Sequence, residues 1–380
     1  MSDLAQKYQR KTDKQHVLDN PGMYIGSVEL LTTNIWVFSE NDKIEQKTIT
    51  YIPALYKLFD EVIVNARDHV IRMIQSANPD KKLVTSIDIT INETTGMITI
   101  VNDGNGVDVV KHPTEGIWIP ELIFANLRSS TNYDKNEKKV VGGSNGIGSK
   151  AVFIWSTYSK IETVDHIRGL KYEQEFHQNL EKVDSPKISK TKTKSYTSVS
   201  FIPDYQRFGL KNGLTSDIIS LLKKRVYDIA AVTDHSVKKI KIEYNGNIIP
   251  VKNFQNYIDL YIGSKTETPR IYEIPNERWE YAIALSPTQE FCQVSFVNGI
   301  CTYKGGKHVD YILGQIIRKL VDFIEKKKKV KVNPATIKEQ LILFLRCDIE
   351  NPTFDSQTKE CMNTVSSKFG SECSVSDYFV

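Results

Sequence analysis

The 380-residue chain lacks the cysteine pattern of a disulfide-stabilised or zinc-binding protein. Its five cysteines are odd in number, scattered along the chain and never spaced as C-x-x-C, which argues against both kinds of site. The chain also lacks an apolar run of the roughly 18 residues that a membrane span needs. Its N-terminus, MSDLAQKYQRKTDKQH, has no apolar signal segment. We therefore expect a soluble intracellular protein with reduced thiols.

A strong net charge is absent as well, since the formal value is only +4. This balance is too small to indicate nucleic-acid binding on its own. Two local clusters stand out, KISKTKTK at 187–194 and KKKKVKV at 326–332. Neither has apolar periodicity, so both are predicted to be exposed basic loops. A solvated loop without a partner is the more common meaning of each cluster taken singly.

What is present is the composition of a globular protein, with 40% hydrophobic and 25% charged residues. From Pro53, apolar residues recur at three- and four-residue steps and predict a helix that ends before Asn78-Pro79. SIDITIN and MITIVND, joined by ETTG, predict a β-hairpin, and RWEYAIAL and CQVSFVNG predict two later strands. A second long helix is predicted from His308 to about Glu325. We predict an α+β domain at 1–250 and a smaller α/β domain at 251–380.

The stretch VGGSNGIGSK at 141–150 has the composition of a phosphate-binding loop. It is not a P-loop, because Ser149 and Lys150 stand in the wrong order. It is not a dinucleotide fingerprint either, because that pattern needs a glycine where Ala151 stands. Four glycines followed by AVFIW predict a flexible backbone that opens a helix, which favours an anion modestly over an ordinary glycine-rich turn.

Polar residues on the Pro53 helix form a second candidate feature. Glu61, Asn65 and Asp68 are spaced by four and three residues, so they share one stripe. The residues around that stripe are unusually apolar, which indicates that the stripe borders a pocket. Asp103 follows a predicted strand beside two glycines. It is either a turn residue or a carboxylate that accepts a hydrogen bond from an exocyclic amine such as that of adenine.

Taken in order, FDEVIVNARD, NDGNGV, SSTNYD, VGGSNGIGSK and NPTFDSQTKE resemble the ATPase region of type IIA DNA topoisomerases of the eukaryotic kind. The resemblance runs from PGMYIGSVE to SKFGSECSVSD. It implies an α+β fold class, with a Bergerat-type (GHKL) α/β sandwich followed by a ribosomal-S5-like transducer domain. It also implies ATP hydrolysis that opens and closes a dimeric gate for a DNA duplex.

Two other members of the same superfamily remain alternatives, a nucleotide-gated clamp of the MutL type and a chaperone of the Hsp90 type. QTKE and KGGKHVDYI favour the topoisomerase. The resemblance does not distinguish a cellular source from a large DNA virus. We accordingly expect a location in the nucleus or in a viral replication compartment.

The resemblance implies specific roles for individual residues. Glu61 resembles the general base that activates water, Asn65 the Mg2+ ligand, and Asp103 the residue that recognises adenine. Lys359 resembles a catalytic residue that contacts the γ-phosphate together with Gln357. The other implied ATP-binding residues are Ser130, Thr131, Asn132, Asn145, Gly146, Ile147, Gly148, Ser149 and Lys150. Ser144 and His69 depart from the residues that are frequent in the family.

The expected partners are a DNA duplex and a second copy of the chain, and no membrane is expected. The arm from Lys7 to Gly26, which contains Tyr24, resembles the segment that the two copies exchange, although a simply docked terminus is the alternative. Lys326, Lys327, Lys328 and Lys329 are candidates for contact with DNA. Since the chain ends at Val380 without a cleavage tyrosine domain, we expect no DNA cleavage by this polypeptide alone.

Overall fold

The structure is a computed structural model that describes residues 11–126, 140–142, 147–233 and 239–377. Its first elements are α1 (Asp13–Asp19), α2 (Pro21–Tyr24), β1 (Leu31–Phe38), β2 (Ile44–Tyr51), α3 (Pro53–Gln75), β3 (Ser86–Asn92), β4 (Met97–Asp103), α4 (Ile119–Ala125) and α5 (Gly148–Ile154). They are followed by β5 (Ser156–Asp165), β6 (Leu170–His177), β7 (Lys182–Val183), β8 (Lys187–Lys190), β9 (Tyr196–Pro203), α6 (Ser216–Val232), β10 (Lys241–Tyr244) and β11 (Asn247–Ile248).

The last third of the chain contains α7 (Phe254–Ile262), β12 (Arg270–Asn276), β13 (Trp279–Leu285), β14 (Cys292–Val297), β15 (Ile300–Cys301), α8 (Lys307–Lys328), α9 (Pro334–Glu339) and β16 (Leu341–Cys347). A short 3-10 turn, Ser366–Lys368, follows. The predicted long helices, the hairpin and the strands of the second half are all present.

A nine-stranded mixed sheet forms the frame of the first part of the chain. Its order is β11-β10-β3-β4-β9-β5-β6-β7, with β8 paired to β6. Strands β3 and β10 are parallel and the other pairs are antiparallel. Strands β1 and β2 form a separate antiparallel pair.

Helix α3 packs on one face of this sheet and carries the polar stripe of Glu61, Asn65 and Asp68. Pro53 stands in its first turn, where a missing backbone N–H costs nothing. Its apolar residues Leu58, Phe59 and Ile63 join the inward isoleucines of β3 and β4 in one core cluster. Helices α5 and α6 pack beside α3. The helical layer therefore lies on one side of the sheet, as predicted.

A five-stranded sheet of order β12-β13-β16-β14-β15 forms the second frame. Its central strand β16 is apolar at nearly every position because both of its faces are covered. Leu343 and Leu345 face a cluster that includes Ile312 and Ile316 of α8. Phe344 faces the other way and packs edge-on against Tyr261 of α7. The sheet is thus held between α8 on one face and α7 on the other.

The first part of each predicted basic loop belongs to regular structure, so the prediction of a loop was wrong for those residues, whereas 191–194 and 330–332 lie in loops. Lys326, Lys327 and Lys328 form the last turn of α8, and Lys329 caps it in the left-handed conformation. Cationic side chains are favourable there because the C-terminal end of a helix carries partial negative charge. In the other cluster, Lys187–Lys190 is the strand β8 at the side of β6.

Candidate functional site

Glu61 lies on the buried side of α3, where its side chain faces the first residue of the seven-residue helix α5. It is 8% exposed. Its Oε1 lies 2.7 Å from the ammonium of Lys57, one turn earlier. A Cβ atom on Gly148 would lie only 1.8 Å from Oε2 of Glu61. The carboxylate is therefore held between a lysine and a backbone position that has room only for glycine.

The charges around Glu61 keep its carboxylate ionised. Burial alone would raise its pKa, but Lys57 and Lys359 bring the pKa below its ordinary value. Burial would likewise lower the pKa of Lys57, whereas Glu61 and Asp60 raise it above its ordinary value. Oε1 of Glu61 is held by the ammonium of Lys57 at 2.7 Å, whereas Oε2 faces the backbone of Gly148. Oε2 is therefore the oxygen that can accept a proton or a hydrogen bond from water.

The polar stripe of α3 faces the glycine-rich stretch. Oδ1 of Asp68 accepts a hydrogen bond from the backbone N–H of Gly142 at 3.0 Å. Asn65, between Glu61 and Asp68 on the stripe, is partly exposed. Among the residues that the structure describes, it has no hydrogen-bond partner, so its amide oxygen is available to a ligand.

Lys359 enters the same place from the second part of the chain. Its ammonium donates to the carbonyl of Gly142 at 2.9 Å and the residue is 5% exposed. Burial lowers its pKa, against the opposing effect of Glu61. Gln357, in the same loop, is partly buried. The loop therefore brings a cation to the first glycines of the stretch and to the carboxylate of Glu61.

Lys150 is a second buried cation, on the first turn of α5. It is 2% exposed, and burial lowers its pKa to about 8. Ile147 precedes this helix, and the hydroxyl of Ser149 donates to the carbonyl of Ile123 at 3.4 Å. An anion beside Lys150 would offset the cost of burying its charge. The described part of the loop thus has the character of an anion site.

The structure argues against the predicted role of Asp103. Its Oδ1 accepts the backbone N–H groups of Thr85 and Ser86 at 2.5 and 3.0 Å. Its Oδ2 accepts the hydroxyl of Thr85 and the ammonium of Lys194. A carboxylate offers about four lone-pair sites, and all four are used. Asp103 therefore ties β4 to its neighbours and has no oxygen left for an amine.

Asn102, the preceding residue, lies on the opposite face of β4. Residues alternate along a strand, so Asn102 shares its face with Ile98 and Ile100, which pack in the core with α3. It is 8% exposed, and its Nδ2 donates to the carbonyl of Asp103 at 2.8 Å. Its amide is therefore on the side of the sheet that carries Glu61 and Asn65.

His69, which departs from the family pattern, lies beside the turn that follows β4. A Cβ on Gly104, in the turn after β4, would lie 3.3 Å from Nε2 of His69. Burial lowers the pKa of His69 to about 4, so the ring is neutral at physiological pH.

Other predicted residues, Ser130, Thr131, Asn132, Ser144, Asn145 and Gly146, lie outside the described residues.

The described part of the N-terminal arm packs on its own chain. Val17 and Ile25 are fully buried in the main core cluster. The hydroxyl of Tyr24 lies 2.9 Å from Nδ1 of His16. A Cβ on Gly26 would lie 2.7 Å from the methyl group of Thr358. The arm thus reaches the loop that carries Lys359.

Sequence reasoning missed Lys57. It stands four residues before Glu61, so the two side chains lie on the same face of the helix. That spacing was a usable signal, because an acidic residue on a largely apolar stretch of helix requires a partner when it is buried.

Similar proteins are type II DNA topoisomerases. A DNA topoisomerase 2 of Acanthamoeba polyphaga mimivirus is 44% identical over 99% of this chain and 30% of that protein. The DNA topoisomerase 2 of Arabidopsis thaliana is 43% identical over 99% of this chain and 25% of that protein. The chain thus spans about a quarter to a third of the length of these relatives.

Solved structures cover the same region. The ATPase region of Saccharomyces cerevisiae topoisomerase II matches with a TM-score of 0.90 and 39% identity, over 99% of this chain and 95% of that one. The ATPase and transducer domains of DNA topoisomerase II from Balamuthia mandrillaris match with a TM-score of 0.89 and 37% identity, over 98% and 93%. The DNA gyrase B family model matches residues 251–380. These matches confirm the predicted fold class.

None of the helices within the described ranges combines the length and the apolar character needed to cross a bilayer.

Proposed function

Because the chain belongs to the type II DNA topoisomerase family and corresponds to its ATPase region, we propose that it binds and hydrolyses ATP at the site around Glu61. One observation carries this proposal. Glu61, the glycines at 142 and 148, and Lys359 from the loop after β16 converge, although Lys359 is 217 residues away from Gly142 along the chain. A carboxylate that can orient water, a glycine backbone that phosphates can approach closely and a lysine that can neutralise charge are parts that phosphoryl transfer uses.

Glu61 acts in this proposal as the general base. Its carboxylate is ionised, and Oε2, which faces Gly148, can take a proton from the attacking water. Lys57 holds the other oxygen, Oε1, at 2.7 Å. Lys359 stabilises the negative charge that develops on the γ-phosphate, with Gln357 beside it.

Asn65 is the proposed ligand of Mg2+. The residues fit that role, since a partly exposed amide oxygen lies one turn from Glu61 on the same stripe. A single protein oxygen suffices because Mg2+ takes its other ligands from phosphates and water. The ion would neutralise phosphate charge during the reaction.

The nucleotide is oriented by residues on either side of α3. Lys150 and the N–H groups of Ile147, Gly148 and Ser149 are proposed to bind the phosphates. Adenine recognition is assigned to Asn102 in place of Asp103. An amide offers both a donor and an acceptor to the base edge, whereas the oxygens of Asp103 are already occupied.

We further propose that ATP holds two copies of the chain together through the arm that contains Tyr24. Within a full-length chain like those of the longer relatives, the two copies would form a gate for a DNA duplex. Lys326–Lys329 are proposed contacts with that duplex, since their side chains are exposed at the end of α8. The division into domains at about residue 250 is part of the same proposal.

Glu61→Gln tests the catalytic assignment. The amide preserves the shape of the side chain but removes the basic oxygen, so ATP turnover should fall at least about 100-fold. Binding of a non-hydrolysable ATP analogue should stay within a few-fold of the wild-type affinity. Near-normal hydrolysis in this variant would refute the assignment.

A further inference from the structure

A row of four buried charges connects Glu61 to the second sheet. Lys57 lies 2.7 Å from Glu61 and 3.1 Å from Oδ2 of Asp60. Nε of Arg225, on α6, donates to Oδ1 of Asp60 at 2.7 Å. The four residues are between 0% and 8% exposed. We name this row, Glu61–Lys57–Asp60–Arg225, the ion-pair relay.

Arg225 also holds a backbone atom of the second sheet. Its Nη2 donates to the carbonyl of Gly299 at 2.8 Å, in the turn between β14 and β15. The planar guanidinium therefore engages Asp60 and Gly299 at once, in a geometry that a lysine ammonium cannot reproduce.

The turn itself is firmly placed at the junction. Asn298 donates to the carbonyl of Ile349 at 2.9 Å and accepts the N–H of Ile349 at 2.8 Å. A Cβ on Gly299 would lie 2.8 Å from the side chain of Arg67 on α3. The position of Gly299 is thus fixed by the second sheet and fits closely against the helical layer.

The relay is electrically balanced, with two acids and two bases alternating. Removing one member of a buried set leaves its partner without compensation, so the remaining side chains must move. On this row the last side chain to move is the carboxylate that faces Gly148. A displacement of about 1 Å at a reacting group can lower a rate by about 100-fold.

We propose that Lys57 and Arg225 are positioning residues for Glu61, and that Arg225 makes the orientation of Glu61 depend on the docking of the Gly299 turn. This inference rests on the proposed role of Glu61 in ATP hydrolysis. It adds a second connection between the two sheets and the reaction, separate from Lys359.

The experiment compares ATP turnover with the affinity for a non-hydrolysable ATP analogue in variants of this chain. Lys57→Met should lower kcat about 30- to 100-fold while the analogue's Kd changes less than about threefold. Arg225→Lys should lower kcat about 10-fold with the same small change in Kd. Arg270→Met is the matched control: Arg270 is also buried and paired, with Asp259 at 2.8 Å, but neither residue contacts a member of the relay, so kcat should be kept.

The double variant Lys57→Met/Arg225→Lys shows whether Lys57 and Arg225 affect kcat through one connected row or independently. If Arg225 acts through Lys57, the double variant has the kcat of Lys57→Met alone. If the two effects multiply, or if each single variant loses affinity for the analogue as much as it loses kcat, the inference is refuted. Asp60→Asn provides a second break in the row should Arg225→Lys fail to fold, since its amide Nδ2 cannot accept from Lys57. It should reproduce the selective loss of kcat, and normal kcat in it also refutes the relay.

Glu61→Gln keeps this result separate from the function itself. Active Glu61→Gln protein would overturn the proposed function regardless of the relay variants. Inactive Glu61→Gln protein together with fully active Lys57→Met protein would overturn the relay alone.

Discussion

Gly148 provides a direct test of how closely the glycine-rich stretch and the general base are fitted. In Gly148→Ala, the new Cβ would lie 1.8 Å from Oε2 and 2.6 Å from Cδ of Glu61. Real Cβ atoms keep at least 3.0 Å from neighbouring heavy atoms, so the carboxylate must move by about 1.2 Å. Lys57 lies at the other oxygen, at 2.7 Å, and restricts that movement.

The expected loss follows from this displacement. A shift of about 1 Å at a catalytic group costs about 100-fold in rate, which corresponds to roughly 2.7 kcal/mol of activation free energy. Folding should suffer less, because alanine favours a helix over glycine by about 1 kcal/mol and offsets part of the strain. We therefore expect a selective fall in kcat, measured by steady-state ATP hydrolysis, with a small change in melting temperature.

Two comparisons make the Gly148 result decisive. Gly314, inside α8, has no atom within 4 Å of its Cβ position, so Gly314→Ala should retain kcat and gain about 1 kcal/mol of stability. Glu61→Asp withdraws the carboxylate by one methylene, so adding Gly148→Ala to it should have little further effect. A Gly148→Ala chain with kcat within about threefold of wild type would refute the close fit.

Three further predictions concern the ligand. Burial lowers the pKa of Lys150 to about 8, and a bound phosphate would favour its charged form. The affinity for the ATP analogue, measured by fluorescence titration, should therefore be constant below about pH 7.5 and fall up to tenfold per pH unit above pH 8. Lys150→Met should bind the analogue weakly without this pH dependence, and a constant wild-type affinity up to about pH 9.5 would contradict the assignment. Asn102→Ala should weaken ATP binding about 10-fold and reduce the preference for ATP over GTP in competition titrations. Asp103→Ala should instead lower the free energy of unfolding by about 1–3 kcal/mol and keep the preference for ATP. The opposite pattern would restore Asp103 as the residue that contacts the base. Lys359→Ala should slow ATP hydrolysis and remove the difference in small-angle scattering between the ATP-analogue and ADP states, because only ATP offers Lys359 a γ-phosphate. If the variant keeps the full wild-type difference, Lys359 is not the residue that distinguishes ATP from ADP.

Local patterns in the sequence were sufficient to predict the elements around the site. Helix α3 was predictable because its apolar positions recur at helical steps and proline is tolerated in its first turn. The β3–β4 hairpin followed from alternating residues around ETTG. The lysines at 326–328 were misjudged because a charged last turn has no apolar residue to show the helical period, although it is favourable at that end of a helix.

The role first predicted for Asp103 is reassigned to a neighbouring residue in our proposal. The alternation of MITIVND places Ile98, Ile100 and Asn102 on one face and Asp103 on the other. The alternation was therefore sufficient to place Asn102 on the face that packs against α3, whereas the chemistry of a carboxylate drew attention to Asp103. Only the hydrogen bonds to Thr85, Ser86 and Lys194 show that Asp103 is fully engaged.

The contacts between the two sheets could not have been predicted from local pattern. Arg225 and Gly299 are 74 residues apart, and Arg225 and Asp60 are 165 residues apart. Spacing along a helix indicates that Asp60, Glu61 and Lys57 are close to each other, but not which distant charge compensates their burial. The need for compensation is nevertheless readable, since helix α3 places two acids and one lysine in its apolar part and buried charges must be paired. A search for one further cation on another amphipathic helix would have pointed to α6, where Lys224 and Arg225 stand side by side. The geometry distinguishes them: Lys224 pairs with Asp228 at 2.9 Å, and Arg225 alone extends to both Asp60 and the Gly299 turn.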